Sequence, residues 1–100
     1  MYTCFRTRKL EKCYRSPKEG EAQWGRQVAR RYIQRVDVLH AIERVDDLRA
    51  FPSFRFHRLR GGRTCQYAIS LTDRVRLIFT VKAQGRDVIR VEEVSKHYGD

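Results

Sequence analysis

Thr64-Cys65-Gln66-Tyr67-Ala68-Ile69-Ser70-Leu71-Thr72-Asp73-Arg74-Val75-Arg76-Leu77-Ile78-Phe79-Thr80-Val81-Lys82 is the stretch that decides the fold. Before Thr72-Asp73, Tyr67, Ile69 and Leu71 fall on one side. After it, Val75, Leu77, Phe79 and Val81 do the same, against Arg74, Arg76, Ile78 and Thr80 on the other. A period of two marks half-buried strands, and Thr72-Asp73 has the composition of a tight turn between them. Towards the C-terminus, Gln84-Gly85-Arg86-Asp87 predicts a further turn and Val88 to Val94 a last strand. Towards the N-terminus, Gly61-Gly62 predicts a turn, preceded by a strand over Phe54 to Leu59 in which Phe54 and Phe56 alternate with Arg55 and His57.

Upstream of Pro52 the period becomes helical. From Arg26 to Leu48 there is no Gly or Pro, and Val28, Tyr32, Val36, Leu39, Ile42, Val45 and Leu48 recur every three or four residues. This predicts an amphipathic helix of about six turns. Its polar side holds Arg26, Arg30, Gln34 and Asp37, with Arg31, Arg35, His40 and Arg44 towards the flanks, as any solvated helix face could. Ser16-Pro17-Lys18-Glu19 reads as a helix start, and Leu10, Cys13 and Tyr14 give residues 8 to 15 a short helical edge. Tyr2 to Arg6 is a candidate first strand. A strand, helices and then several antiparallel strands describe an α+β domain with helices against one face of a sheet. Neither a repeat nor an interdomain linker interrupts residues 1–100, which are read as a single domain.

Charge narrows the partner. Twenty-two Lys and Arg against twelve Asp and Glu give +10, and seventeen of the twenty-two are Arg. The guanidinium grips phosphate with two parallel hydrogen bonds where an ammonium acts as a point charge, so a polyanionic partner is expected. The excess is shared equally, +5 in residues 1–50 and +5 in residues 51–100. With 41% hydrophobic residues the chain has too much apolar material for a disordered basic tail. No apolar run reaches membrane-spanning length and no signal-peptide core follows Met1, so a cytoplasmic protein with no membrane partner is expected. Cys4, Cys13 and Cys65 match no zinc or redox spacing and are expected to be reduced, mostly buried thiols.

Two segments concentrate groups suited to chemistry. Arg55-Phe56-His57-Arg58-Leu59-Arg60-Gly61-Gly62-Arg63 lies within a stretch, Leu48 to Thr72, that has no acidic residue. It suits a phosphate-contacting edge, or equally a basic edge strand guarded by its charges. The other is Val94-Ser95-Lys96-His97-Tyr98-Gly99-Asp100, either a source of proton-transfer groups or a polar tail. Arg76 projects from a strand on the side opposite Leu77 and Phe79. No carboxylate cluster has metal-ligand spacing, and no metal or other cofactor is expected.

Phe56-His57-Arg58-Leu59-Arg60-Gly61-Gly62-Arg63, then Gln66-Tyr67-Ala68-Ile69-Ser70-Leu71, then Arg74-Val75-Arg76-Leu77-Ile78-Phe79, resembles the HigB branch of the RelE/ParE-like toxins, the plasmid maintenance system killer proteins. The ending Val91-Glu92-Glu93-Val94-Ser95-Lys96-His97-Tyr98 looks like a variant of that family's closing segment. The resemblance implies a RelE-like fold, with an N-terminal strand and two helices on a mostly antiparallel, twisted sheet. It implies a toxin of a type II toxin–antitoxin system, a ribosome-dependent mRNA endonuclease that inhibits translation. The implied partners are the ribosome, mRNA and a cognate antitoxin, a small DNA-binding protein of the HigA type.

Carried over by position, His57, Arg76 and His97 take the family's catalytic places, with Arg60, Arg63, Arg74, Lys96 and Tyr98 as RNA or phosphate contacts. Two departures stand out. Ser95-Lys96-His97-Tyr98 replaces a closing Asp-Tyr-His, and Arg60 and Gly62 replace a Lys and an Asp. RNA brings its own nucleophile, the 2′-hydroxyl, so two proton-transfer groups and one cation suffice without a metal. His57 and His97 would be the acid/base pair in unassigned order, with Arg76 on the phosphate. A non-enzymatic ParE-like toxin directed at a topoisomerase, and a small nucleic-acid-binding module, are the competing readings.

Overall fold

The computed structural model describes residues 1–59, 66–83 and 87–96. Strand β1 (Tyr2–Phe5) leads into helices α1 (Arg8–Arg15), α2 (Pro17–Trp24) and α3 (Arg26–Ala41). Two short 3-10 turns, Val45–Ala50 and Pro52–Phe54, carry the chain to β2 (His57–Arg58), β3 (Gln66–Thr72), β4 (Val75–Ala83) and β5 (Asp87–Lys96). The five strands form one sheet in the order β1-β5-β4-β3-β2. β1 runs parallel to β5, with Tyr2 opposite Val88 and Phe5 opposite Val91, and the other pairs are antiparallel.

The predicted alternation over β3 and β4 sets the two faces of the sheet. Ile69, Leu71, Leu77 and Phe79 are fully buried and share a core with Leu10, Tyr32, Val36 and Leu39 from the helices. Each such aliphatic side chain contributes about 1.5–3 kcal/mol through burial. The other face carries half-buried Ser70 and Arg76 together with buried Ala68, Ile78 and Thr80. A bulge between Ile78 and Phe79 places Glu92 of β5 where its carboxylate accepts from Thr80 Oγ1 at 2.8 Å and from Arg90 Nε at 2.6 Å. A mostly buried acid is thereby fully partnered.

Local chemistry starts and stops the helices. Thr7 caps α1, its hydroxyl accepting from Leu10 N at 3.1 Å. Pro17 occupies the first position of α2, as the Ser16-Pro17 pair predicts. Gly25, at φ 84° and ψ 165°, separates α2 from α3 in a conformation essentially reserved for glycine. Gly20 lets the same two helices approach: a Cβ there would lie 3.0 Å from the Cβ of Ala29.

Two expectations are corrected. The six-turn helix to Leu48 ends at Ala41, where Ile42 turns extended and a 3-10 turn follows. The Asp47 carboxylate accepts from the backbone N–H groups of Glu43 (3.2 Å) and Arg44 (3.1 Å), competing with helix continuation. The amino group of Met1 donates to the carbonyls of Leu39 (3.1 Å) and His40 (2.9 Å), which the helix end leaves open. The apolar spacing runs on because Ile42 and Leu48 are buried from either conformation.

The strand expected over Phe54 to Leu59 shrinks to His57–Arg58. Phe54 closes a 3-10 turn and Arg55 adopts a left-handed conformation, φ 49° and ψ 43°. Phe54 is buried, and Phe56 stacks on Tyr67 with ring centres 5.5 Å apart. The Phe alternation therefore records two routes into the core.

Of the cysteines, Cys13 is buried and Cys4 half-buried, both free. Cys65 and the predicted turns at 61–62 and 84–86 lie outside the described residues. No described helix is long and apolar enough to cross a membrane.

Candidate active site around His57 and Arg76

β2 joins the sheet with His57 opposite Ala68 of β3, and Ala68 lies opposite Ile78 of β4. Directly paired residues share a face, so His57, Ala68 and Ile78 form a row across three strands. Arg76 stands two residues from Ile78 on the same face, between Ser70 of β3 and Ser95 of β5. The small side chains at Ala68, Ser70 and Ser95 leave room for a long arginine and an imidazole to meet. His57 Nε2 and Arg76 Nη1 are 3.4 Å apart.

The second ring nitrogen of His57, Nδ1, lies 2.8 Å from the carbonyl oxygen of Arg55. A carbonyl only accepts and a guanidinium only donates, so both contacts are satisfied by a neutral imidazole with its proton on Nδ1. Nε2 then carries the lone pair and faces Arg76. The left-handed Arg55 has a local use, since its backbone turn presents that carbonyl to the ring. Strain of this kind is common where a side chain must be held for function.

Arg76 makes no ion pair with a described carboxylate, and its Nε is buried without a hydrogen-bond partner among the described residues. A buried donor left unmade costs about 1–3 kcal/mol. The arrangement suits an arginine awaiting an oxyanion. A base with its lone pair beside an uncompensated guanidinium can take a proton from a hydroxyl while stabilising charge on an adjacent phosphate.

Of the other candidate residues, Arg74 is exposed in the β3–β4 turn, two residues from Arg76. Lys96 lies opposite Val75, on the other side of β5 from Ser95 and Arg76, so the structure does not gather it with His57. Arg60, Arg63, His97 and Tyr98 lie outside the described residues. The sequence places Arg55 in the basic segment around His57 but shows no sign of its carbonyl's use, and it singles out none of Ala68, Ser70 and Ser95. The three small residues carry no chemical signal until the register sets them around Arg76. Among the described residues no group of three His, Cys, Asp or Glu side chains is placed to hold a metal.

The arrangement of helices against a mostly antiparallel five-stranded sheet, with β1 parallel to β5, is a fold shared with a solved YoeB/ParE toxin. The solved YoeB/ParE toxin from Agrobacterium tumefaciens superposes with a TM-score of 0.57 at 15% sequence identity, over 98% of this chain and 100% of that one. No protein-family model matches the sequence. No curated protein matches it either.

Proposed function

We propose that the chain is a toxin of a type II toxin–antitoxin pair, a single domain of the HigB branch, which cleaves mRNA on the ribosome and thereby halts translation in the cytoplasm. The observation that carries this reading is the His57–Arg76 pair, an imidazole oriented by the Arg55 carbonyl beside a guanidinium that makes no ion pair with a described carboxylate and whose Nε has no hydrogen-bond partner among the described residues. The likeness in fold to a YoeB/ParE toxin and the charge of +10 support it.

In the proposed reaction His57 Nε2 takes the proton of an RNA 2′-hydroxyl. The 2′-oxygen forms a bond to the neighbouring phosphorus and the bond to the 5′-oxygen breaks. Arg76 stabilises the charge gathered on the non-bridging oxygens. His97 is assigned the return of a proton to the leaving 5′-oxygen, which leaves a 2′,3′-cyclic phosphate and a free 5′-hydroxyl. Arg60, Arg63, Arg74, Lys96 and Tyr98 are proposed to hold the strand by charge or stacking. The antitoxin is expected to mask the basic surface with acidic residues or to block ribosome entry by bulk.

The test is cleavage of a translated mRNA by the purified chain with ribosomes. The 2′,3′-cyclic ends support the scheme, and undiminished cleavage by His57→Ala overturns it. Growth arrest retained by His57→Ala in cells would identify a binding toxin instead.

A further inference from the structure

β2 covers only two residues of β3, so past Ala68, towards Ser70 and Leu71, the edge of β3 has no described strand beside it. Two arginines of α3 reach this edge. Arg35 Nε donates to the carbonyl of Ser70 at 3.2 Å and Arg31 Nη1 to that of Leu71 at 3.0 Å. The Arg35 guanidinium also lies over the Phe54 ring, 4.2 Å from its centre. With Arg55, the two line a cavity of about 180 Å³ whose wall adds Ser53, Ser70 and Thr72 and one acidic residue, Asp73.

Capping two carbonyls needs one N–H each. Each guanidinium has five, and none of the three arginines forms an ion pair with a described carboxylate. Holding Arg31 and Arg35 together opposes itself electrostatically. Burial first, and then the charge of Arg31, push the Arg35 pKa below the ordinary arginine value. An unfilled set of forked donors in a wall that also includes two serines and a threonine suits the acceptor oxygens of a phosphate group.

The cavity adjoins the candidate active site through two residues. Arg55 lends its side chain to the cavity and its carbonyl to His57, while Ser70 lies opposite Arg76. Arg31 also belongs to a second, larger cleft along α3 with Arg26 and Arg30, so the basic path continues away from His57.

We propose that the Arg31–Arg35–Arg55 cavity is a phosphate subsite that holds a backbone phosphate of the RNA strand flanking the one positioned between His57 and Arg76. The inference rests on the nuclease reading for its ligand. It fixes the direction of the strand's path, from the β2–β3 face towards α3.

The probe is a short single-stranded DNA of mixed sequence, which lacks the 2′-hydroxyl and so reports binding without cleavage. Its affinity for the full chain is measured by fluorescence anisotropy over a range of salt. Arg35→Gln and Arg55→Gly should each weaken binding several-fold and make the salt dependence shallower by about 0.7 in log–log slope per lost phosphate contact. Arg55→Gly keeps the fold, because its left-handed backbone favours glycine. Arg15→Gln, on exposed α1 and paired with Glu11, should change neither quantity.

Unchanged affinity in both cavity variants, or an equal loss in Arg15→Gln, overturns the proposal. So does a cavity that inorganic phosphate occupies, seen as arginine side-chain NMR shifts, but the oligonucleotide does not. Failure of the nuclease reading is seen separately, as His57→Ala cleaving normally while the cavity variants still lose oligonucleotide binding.

Discussion

The imidazole of His57 and the guanidinium of Arg76 meet over Ala68, with Nε2 and Nη1 3.4 Å apart. Both side chains lie outside the hydrophobic core cluster, so removing either should leave folding intact. His57→Ala and Arg76→Ala are each expected to lower ribosome-dependent cleavage by about 10²-fold or more with little change in Tm. Single-turnover cleavage beside a thermal melt checks this. A parallel loss of Tm would mean the pair is structural.

Gly25 predicts a cost that no side-chain contact announces. A Cβ there would meet nothing within 4 Å, so any penalty comes from the backbone at φ 84° and ψ 165°. Gly25→Ala should destabilise by about 1–3 kcal/mol in urea unfolding. A neutral result would show that α2 and α3 can join by another geometry.

Tyr32 is fully buried, and its hydroxyl donates to the carbonyl of Leu10 at 2.8 Å, tying α3 to α1. Tyr32→Phe keeps the ring and its edge contact with Trp24, whose ring centre is 4.8 Å away. The lost hydrogen bond should cost about 1 kcal/mol. Calorimetry should show this as a Tm lower by about 4–8 °C.

The same interior predicts alkaline sensitivity. Burial raises the Cys13 thiol above its ordinary 9.0, with Glu19 adding to it, and burial raises the Tyr32 phenol above 10.0, with Cys13 adding to it. Both groups stay protonated in the folded chain at pH values where the unfolded chain releases the protons. Stability from this source is complete below pH 9.0 and falls as pH climbs through 9.0 and then 10.0. Denaturation midpoints across that range should flatten in a Cys13→Ala, Tyr32→Phe double variant.

The fold was legible wherever one periodicity acted alone. The alternation in β3 and β4 and the spacing of α3 up to Leu39 record burial against a single neighbouring layer. It failed where two conformations bury the same residues. Ile42 and Leu48 reach the core from an extended link and a 3-10 turn as well as a helix would take them, and Phe54 and Phe56 do so around a left-handed Arg55. Of the candidate site, His57 and Arg76 stood out by chemical type. Arg55 was legible as part of a basic segment but not as the carbonyl that orients His57, and the Arg31 and Arg35 pair stood out as nothing more than a helix face, because the carbonyl direction and the edge of β3 are defined only by the assembled sheet.

β5 is the last of the described strands in chain order, yet it lies inside the sheet between β1 and β4. During synthesis, then, β1 has no partner and β4 has one raw edge until the final strand has cleared the exit tunnel, and Arg76 still lacks Ser95 at its flank. The sheet face that carries His57 and Arg76 is therefore completed only once β5 has left the ribosome. A message truncated before β5 yields a fragment in which β1 and one edge of β4 are unpaired, a target for proteolysis.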